Sequence, residues 1–400
     1  MTPYALTYPR LLEDLYAAFY CARHNKRSKP YVRRYECHLE ENIRRLCLAL
    51  WNRSYNPKPS TCFVITDPKK REVFAAEFED RIVHHLYYNY VHEMLERTFI
   101  ADSYSCIKNR GTHYGIDCLE EHIRKESQNY TLPCYVLKMD IRGYFMHINR
   151  KKLLEIVRGS LETMSHHRIS KSDKRVWMEK VDIGFLMYLS EIFVMLDPTK
   201  DCVRHGKSED WNGLPRDKSL FCTGYGNGLP IGNLTSQLYS NVYMNCFDQY
   251  MKRTLKCKHY GRYVDDAFVV SADLDFLHAI IPKARKYLKE VLGLALHEGK
   301  LSITDVRQGV AFLGAFLKPR RRYVSNGTLR RMRSKMSLLE DVVCPSQAIH
   351  LMSVLNSYFG VLGHYRCYHI QKEICRNMMV PWTCGTFERR NKGLMFRLFK

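Results

Sequence analysis

In the stretch 258-KHYGRYVDDAFVVSAD-273, two adjacent carboxylates, Asp265 and Asp266, interrupt an aromatic and β-branched run. Such a run reads as strand, and Asp is depleted from strands, so the pair is expected at a turn between two strands. Anions this close raise each other's pKa unless a cation sits between them. A hard divalent metal with oxygen ligands fits that role. A third carboxylate, Asp140, ends the apolar run 134-CYVLKM-139, which has the character of a buried sheet strand. If that strand neighbours the hairpin, three carboxylates share one site. Three can hold two metal ions about 4 Å apart, clamping the attacking and leaving oxygens of a phosphoryl transfer. Alone, YVDD reads better as a solvated surface turn and Asp140 as a strand-end residue; only their conjunction carries chemistry.

The elements that must position these groups follow from periodicity. Apolar residues at three- and four-residue spacing predict helices over 9–22 and 35–51. The stretch 63-FVITDPKKREVFAAEFEDRIVHHLYYNYV-91 predicts a β-hairpin around Asp67 to Arg71, then a helix with Ile82, Leu86, Tyr90 and Val91 on one face. A basic loop and a helix capped by Thr112 follow in 104–125. After the strand at 134–141 come a turn at Gly143 and a helix near 150–158. Residues 159–228 are irregular, with a helical patch at 181–196 and a polar, Gly-rich stretch that reads as an insertion. Then a loop feeds a long helix in which Leu238, Val242, Cys246 and Tyr250 recur every four residues. A helix at 274–291, strands near 294–296 and 309–318, and a helical, basic remainder complete the pattern.

Composition bounds the class. The 400 residues are 46% apolar, enough for a core, and the net charge of +22 points to a polyanionic partner, nucleic acid first. The charge is clustered: residues 318–400 hold sixteen Lys or Arg against four Asp or Glu, and 23-RHNKRSKPYVRR-34 forms a second basic patch. Fifteen cysteines without a CxxC pair argue against a zinc site or disulfide framework. With no membrane-length apolar stretch and no signal peptide, a soluble cytoplasmic protein with no membrane partner is expected.

The order of these pieces resembles reverse transcriptases of bacterial retroelements, across nearly the whole chain. The resemblance implies an α+β right-hand polymerase fold. Fingers would occupy 1–130; a palm with an antiparallel sheet, helices and an insertion within 159–228 would occupy 131–318; a basic helical thumb would occupy 319–400. 134-CYVLKMDIRGYF-145 and 261-GRYVDDAFVV-270 are similar to the family's two palm motifs. This implies metal binding by Asp140, Ile141, Asp265 and Asp266, with two Mg2+ ions for which Mn2+ could substitute. Phe145 falls where the family carries a steric gate against the ribose 2′-hydroxyl, the group that distinguishes RNA from DNA. 66-TDPKKREV-73 resembles the motif that grips the incoming triphosphate, implicating Lys69, Lys70 and the bidentate fork of Arg71. Ile141 joins that dNTP-binding set. In 292-LGLALHEGKLSI-303, Lys300 is the candidate for neutralising or protonating pyrophosphate. Lys108 and Arg110, in 101-ADSYSCIKNRGTHYGI-116, and the thumb-side Arg320, Arg321 and Arg322 would contact the nucleic-acid backbone, which positions without reading sequence.

The block 230-PIGNLTSQ-237 narrows the resemblance to reverse transcriptases of diversity-generating retroelements, supported by 211-WNGLPRDKSLF-221. Relatives such as group II intron and retron enzymes carry Gln where this chain has Ile231, and usually a Pro after the serine, where it has Gln237. Ile231, Gly232 and Gln237 would line the nucleotide pocket. Glutamine can hydrogen-bond near an incoming nucleotide and isoleucine cannot, and discrimination at such a pocket rests on only about 1–3 kcal/mol. The resemblance implies bacterial or phage-encoded, error-prone copying of a template repeat RNA into cDNA, mutated opposite adenines, for diversification of a target gene. It also implies a small basic oligomeric accessory variability protein as partner, beside template RNA, cDNA or primer, and dNTPs. Two alternatives stand: an intron- or retron-type reverse transcriptase, and a non-catalytic RNA-binding protein with the same fold.

Overall fold

The computed structural model describes residues 6–67, 69–170, 172–337, 345–365, 367–377, 384–390 and 393–399. It is a mixed helix-and-sheet structure. Three helices open the chain: α1 (Tyr8–Arg23), α2 (Pro30–Cys37) and α3 (Leu39–Trp51). In α1, a proline in the first turn suits the helix start, and Leu11, Leu15, Ala18, Phe19 and Ala22 form one buried face. The single helix expected over 35–51 is two. Pro30 starts the first in its own first turn, and His38, at φ −123° and ψ 39°, breaks the helical path between them.

The strands β1 (Thr61–Ile65) and β2 (Arg71–Ala75) form the expected antiparallel hairpin, with Ile65 opposite Arg71 and Cys62 opposite Phe74. Then come α4 (Phe78–Glu96) and α5 (Thr112–Glu126). Thr112 is the first residue of α5, and the cap is Gly111. The chain continues through β3 (Tyr135–Asp140), the short α6 (Tyr144–His147), α7 (Arg150–Ser165) and α8 (Ile183–Met195). The last two are capped by Asn149 and Asp182, whose side chains accept from the backbone N–H three residues on, both at 2.9 Å. β4 (Val203–Arg204) adds a parallel strand beside β1.

α9 (Leu234–Gln249) runs into a π turn at Tyr250–Thr254. It buries residues nearly all round, among them Asn241 and Asp248, so it is not the one-sided stripe that the four-residue recurrence suggests. β5 (His259–Tyr263), β6 (Asp266–Ser271), α10 (Leu274–Leu292) and β7 (Ser302–Asp305) follow. The strands β5, β6, β3 and β7 are hydrogen-bonded neighbours in that order, and β7 is antiparallel to β3. The strand expected near 294–296 is only a bridge between Leu296 and Ile141, so the outer strand of this sheet lies later, at 302–305.

The expected strand at 309–318 is itself a hairpin. β8 (Val310–Phe312) and β9 (Ala315–Lys318) meet at Leu313 and Gly314, both at positive φ, the two-residue turn that favours glycine. β10 (Arg321–Val324) pairs with β9, and α11 (Asn326–Ser337), α12 (Pro345–Leu362) and α13 (Tyr368–Asn377) follow. The chain ends not in helix, as expected, but in a hairpin of β11 (Gly385–Arg390) and β12 (Gly393–Leu398). Asn356 of α12 binds β12 as a strand would, donating to the Phe396 carbonyl (2.9 Å) and accepting from its N–H (2.7 Å). No periodicity in the helix announces that edge contact.

The chain divides into two compact units. One comprises Met1–Asn109, Met139–Ala267 and Ala279–Leu301; the other comprises Arg110–Lys138, Phe268–His278 and Ser302–Lys400. The second unit has its own core of Val324, Met332, Met336, Leu351, Leu355, Phe359 and Phe396. Every candidate carboxylate lies in the first. No described helix is long and apolar enough to cross a membrane.

Candidate active site

Asp140 is the last residue of β3, and Asp265 and Asp266 stand at the turn from β5 to β6. More than a hundred residues separate them in sequence, yet Asp140 acts on Asp265 through space. Burial, then the charge of Asp140, pushes the Asp265 carboxyl above its ordinary range, while Lys300 and Arg71 pull it back. Lys300 Nζ lies 2.7 Å from Asp140 Oδ2. The structure thus brings Asp140, Asp265, Lys300 and Arg71 into one electrostatic site.

Asp140 is 8% exposed and Ile141 3%. Around Ile141 the backbone bonds to the 295–297 segment come from its neighbours: Arg142 N–H donates to Ala295 O, and His297 N–H donates to Asp140 O. By the alternation of an antiparallel ladder, Ile141's own carbonyl therefore faces the other edge, the side of β6. Two carboxylates and a carbonyl are the hard oxygen donors that Mg2+ takes. Among the described residues, however, no three His, Cys, Asp or Glu side chains converge as a ready-made metal cage. The Lys300 ammonium stands on one of the carboxylates instead.

The turn carrying Asp265 is strained. Val264, its first central residue, has φ +55°, a left-handed conformation that a β-branched side chain strongly disfavours and that glycine usually fills. What holds it is a buried network. Val264 N–H donates to Ser105 Oγ (3.1 Å), and its carbonyl accepts from Arg262 Nη1 (2.8 Å). Arg262, fully buried, forks onto Asp248 through Nε and Nη2 at 2.8 and 2.6 Å. Tyr260 OH donates to the same carboxylate at 2.6 Å, and Asn241 Nδ2 donates to Ser105 O at 2.8 Å. Burial alone would drive the guanidinium towards neutrality; Asp248, by charge and hydrogen bonds, outweighs it and holds Arg262 above its usual pKa. The 102–104 segment seals the outer edge of β5, exchanging backbone bonds with Arg262 (2.9 and 3.0 Å).

Arg262, Asp248, Asn241 and Ser105 are the residues that sequence reasoning missed. The available signal was Asn241 and Asp248, seven apart on one helix, and an Arg two positions before the turn. Ser103, Tyr104 and Ser105, in the stretch read as a template-contacting block, are buried braces, whereas Lys108 beside them is exposed.

The nucleotide-pocket candidates gather around a second cluster. Phe145 and Ile231 pack against Cys62, Phe74, Met146 and Leu220. Phe74 N–H donates to Ile231 O at 2.8 Å. Gly232 sits at φ +131° with its Cβ position 2.5 Å from the Phe74 carbonyl, so no larger residue fits there. Gln237 is exposed in the first turn of α9. On the β1–β2 hairpin Lys69 and Arg71 are exposed, and Lys70 Nζ donates to Asn212 O at 2.5 Å.

In the second unit, Arg320 and Arg321 are exposed on the β9–β10 hairpin rather than on a helix. Arg322 is engaged by Glu120 and by Asp117 (2.6 Å), and Arg110 stacks over Tyr114.

No protein-family model matches this sequence, nor does any curated protein. Among solved structures the chain is similar to telomerase of Candida albicans in complex with a TWJ fragment of telomeric RNA, with 10% identity, a TM-score of 0.44, and 80% of this chain and 55% of that one covered. It is also similar to apo telomerase of Candida tropicalis, with 12% identity, a TM-score of 0.46, and 80% and 60% covered. The chain thus spans little more than half the length of these telomerases, and a likeness this distant assigns no function.

Proposed function

We propose that the chain is an RNA-directed DNA polymerase, of the kind found in diversity-generating retroelements, that copies a template repeat RNA with errors at adenines. The observation that carries this reading is the electrostatic coupling of Asp140 to Asp265, with Arg71 and Lys300 as the facing cations. A buried Asp265 whose proton affinity is raised by burial and by the charge of Asp140 marks a site short of a positive charge, and Asp140, Asp265 and the Ile141 carbonyl would hold Mg2+ there. Bound, the metal would supply the charge that lowers the pKa of a primer 3′-hydroxyl and neutralises the leaving pyrophosphate. The chain's own groups do the rest. Arg71 would fork onto the triphosphate. Phe145, half-buried against the Phe74–Met146 cluster, would close the pocket at the sugar. Lys300 would deliver a proton or a charge to pyrophosphate. The net charge of +22 suits a hybrid duplex held by phosphate contacts, with binding that weakens steeply in salt.

Ile231 supports the error-prone class. Its side chain belongs to the apolar cluster and brings no hydrogen-bonding group to the pocket. A small basic oligomeric accessory protein would complete the machine. Primer extension on an RNA template tests the reading: replacing Asp265 and Asp266 by Ala should abolish extension while RNA binding persists. Persistent extension overturns the metal site. Sequencing the cDNA tests the class, since errors spread evenly over the four template bases would favour an intron- or retron-type enzyme.

A further inference from the structure

The segment 197–228 belongs to the stretch 159–228, part of which reads in sequence as an insertion. In the structure it lies behind the candidate nucleotide pocket. β4, within it, extends the β1–β2 sheet, with Val203 N–H donating to Ser60 O (2.9 Å) and His205 N–H to Cys62 O (2.8 Å). Alternation along β2 puts Arg71 and Glu72 on opposite faces: Arg71 is exposed and Glu72 is fully buried. The buried carboxylate is held wholly from this segment in the bonds that define its pose. Trp211 Nε1 donates to Oε1 (2.8 Å), Ser219 Oγ donates to both oxygens (3.1 and 3.3 Å), and Leu220 N–H donates to Oε2 (2.7 Å). Leu220 then packs in the cluster that seats Phe145 and Ile231, with Trp211 and Phe221 at its edge. Arg204 stacks on the Phe221 ring, 4.2 Å from its centroid. One segment therefore backs three candidate nucleotide contacts at once: Arg71 through Glu72, and Phe145 and Ile231 through Leu220.

We propose that residues 197–228 are a specificity-determining element of the nucleotide pocket, with Glu72 as the positioning residue through which the segment aims Arg71. A carboxylate gripped by three donors, one of them shared between its two oxygens, fixes the strand on either side of it. The preceding residue, Arg71, is thereby held on the opposite, exposed face of the strand. The proposal rests on the polymerase reading and deepens it.

The test is single-nucleotide extension of a DNA primer on an RNA template by the full chain, with Mg2+, comparing Ser219→Ala, Trp211→Phe and Glu72→Gln with the unaltered protein. Loss of one bond to a charged group should raise the KM for dNTP about tenfold in the first two variants. The kcat should stay within about twofold, template–primer affinity should be unchanged, and the preference for dNTP over rNTP should shift. Ser219→Thr, which keeps the hydroxyl, should restore KM. An unchanged KM in both Ser219→Ala and Trp211→Phe overturns the proposal. So does a parallel loss of kcat, template affinity and melting temperature, which is the mark of general destabilisation. Extension absent even in the unaltered chain overturns the polymerase reading, and the proposal falls with it; extension present with unmoved KM overturns the proposal alone.

Discussion

Two turns of the first unit, from β5 to β6 and from β1 to β2, both present charge to the candidate site, but their supports differ. The β5–β6 turn is stapled by a fully buried ion pair, Arg262 on Asp248, and by backbone bonds to 102–104. Its strained Val264 persists because Ser105 and Arg262 bind both of its backbone polar groups. The β1–β2 hairpin is anchored through Glu72, through Phe74 and Cys62 in the apolar cluster and along its β4 edge, and its tip at Lys69 is exposed. Carboxylates that share a cation must hold position to a fraction of an ångström, because their mutual repulsion works to part them. A cationic tip that grips a mobile triphosphate gains from freedom to close. The contrast gives the acid turn buried support on both of its backbone polar groups, whereas on the basic side the support reaches the strand at Glu72 and not the exposed tip at Lys69.

The largest effect should come from breaking the buried pair. Arg262→Met leaves Asp248 charged and buried, at a cost of about 3–5 kcal/mol in chemical denaturation. Adding Asp248→Leu should recover most of that stability, since an apolar pair of similar volume is often neutral. Extension should not return, because Val264 O still lacks its donor. Recovery of both would reduce the network to packing. The matching change in the other hairpin, Glu72→Gln, turns an amide donor towards groups that themselves donate and should cost about 2 kcal/mol. A loss as large as that of Arg262→Met would erase the contrast.

Relief of strain should act in the opposite direction. Val264→Gly removes a disfavoured left-handed conformation worth roughly 1 kcal/mol, offset in part by chain entropy. A small gain in melting temperature is the expected outcome, and a loss would mean that the valine side chain is held by packing that outweighs its backbone.

The pH dependence sharpens the acid side. The folded Asp265 carboxyl lies above its unfolded value, so its stabilising contribution is complete below the unfolded pKa and is lost as pH rises through the folded one. Asp80 has the same sign, pushed up to about 6 by burial despite hydrogen bonds from Tyr55 and Lys58. Metal-free protein should lose stability as pH rises towards neutrality. Asp265→Asn should remove its share of that slope, which urea titrations at pH 5 and pH 7 would read. The smallest effect is expected at the tip, where Lys70 makes one exposed bond and Lys70→Ala should change stability by less than about 0.5 kcal/mol.

Much of the site was legible because charge in a strand is an anomaly: Asp140 and Asp265 each stand out against apolar neighbours. Their supports were not, because Arg262 and Asp248 are ordinary as letters and become a pair only when α9 passes beneath β5. Glu72 was hidden for the same reason, reading as one more charge in KKRE while its three hydrogen-bond donors come from residues 139 to 148 positions away. The helical ending failed because the β11–β12 hairpin carries more charge than a buried strand, and its anchor, Asn356, sits on a distant helix.

The sequence alone determined the local elements, the excess of positive charge and the acidic ends of β3 and the β5–β6 turn, since periodicity and side-chain chemistry act over a few residues. Only the tertiary structure decided that Asp140 and Asp265 feel one another, that Lys300 stands on Asp140, and that Arg262 and Glu72 are buried anchors. Those outcomes depend on which distant surfaces exclude water together, and a buried charge is tolerated only where folding has already brought its partners to meet it.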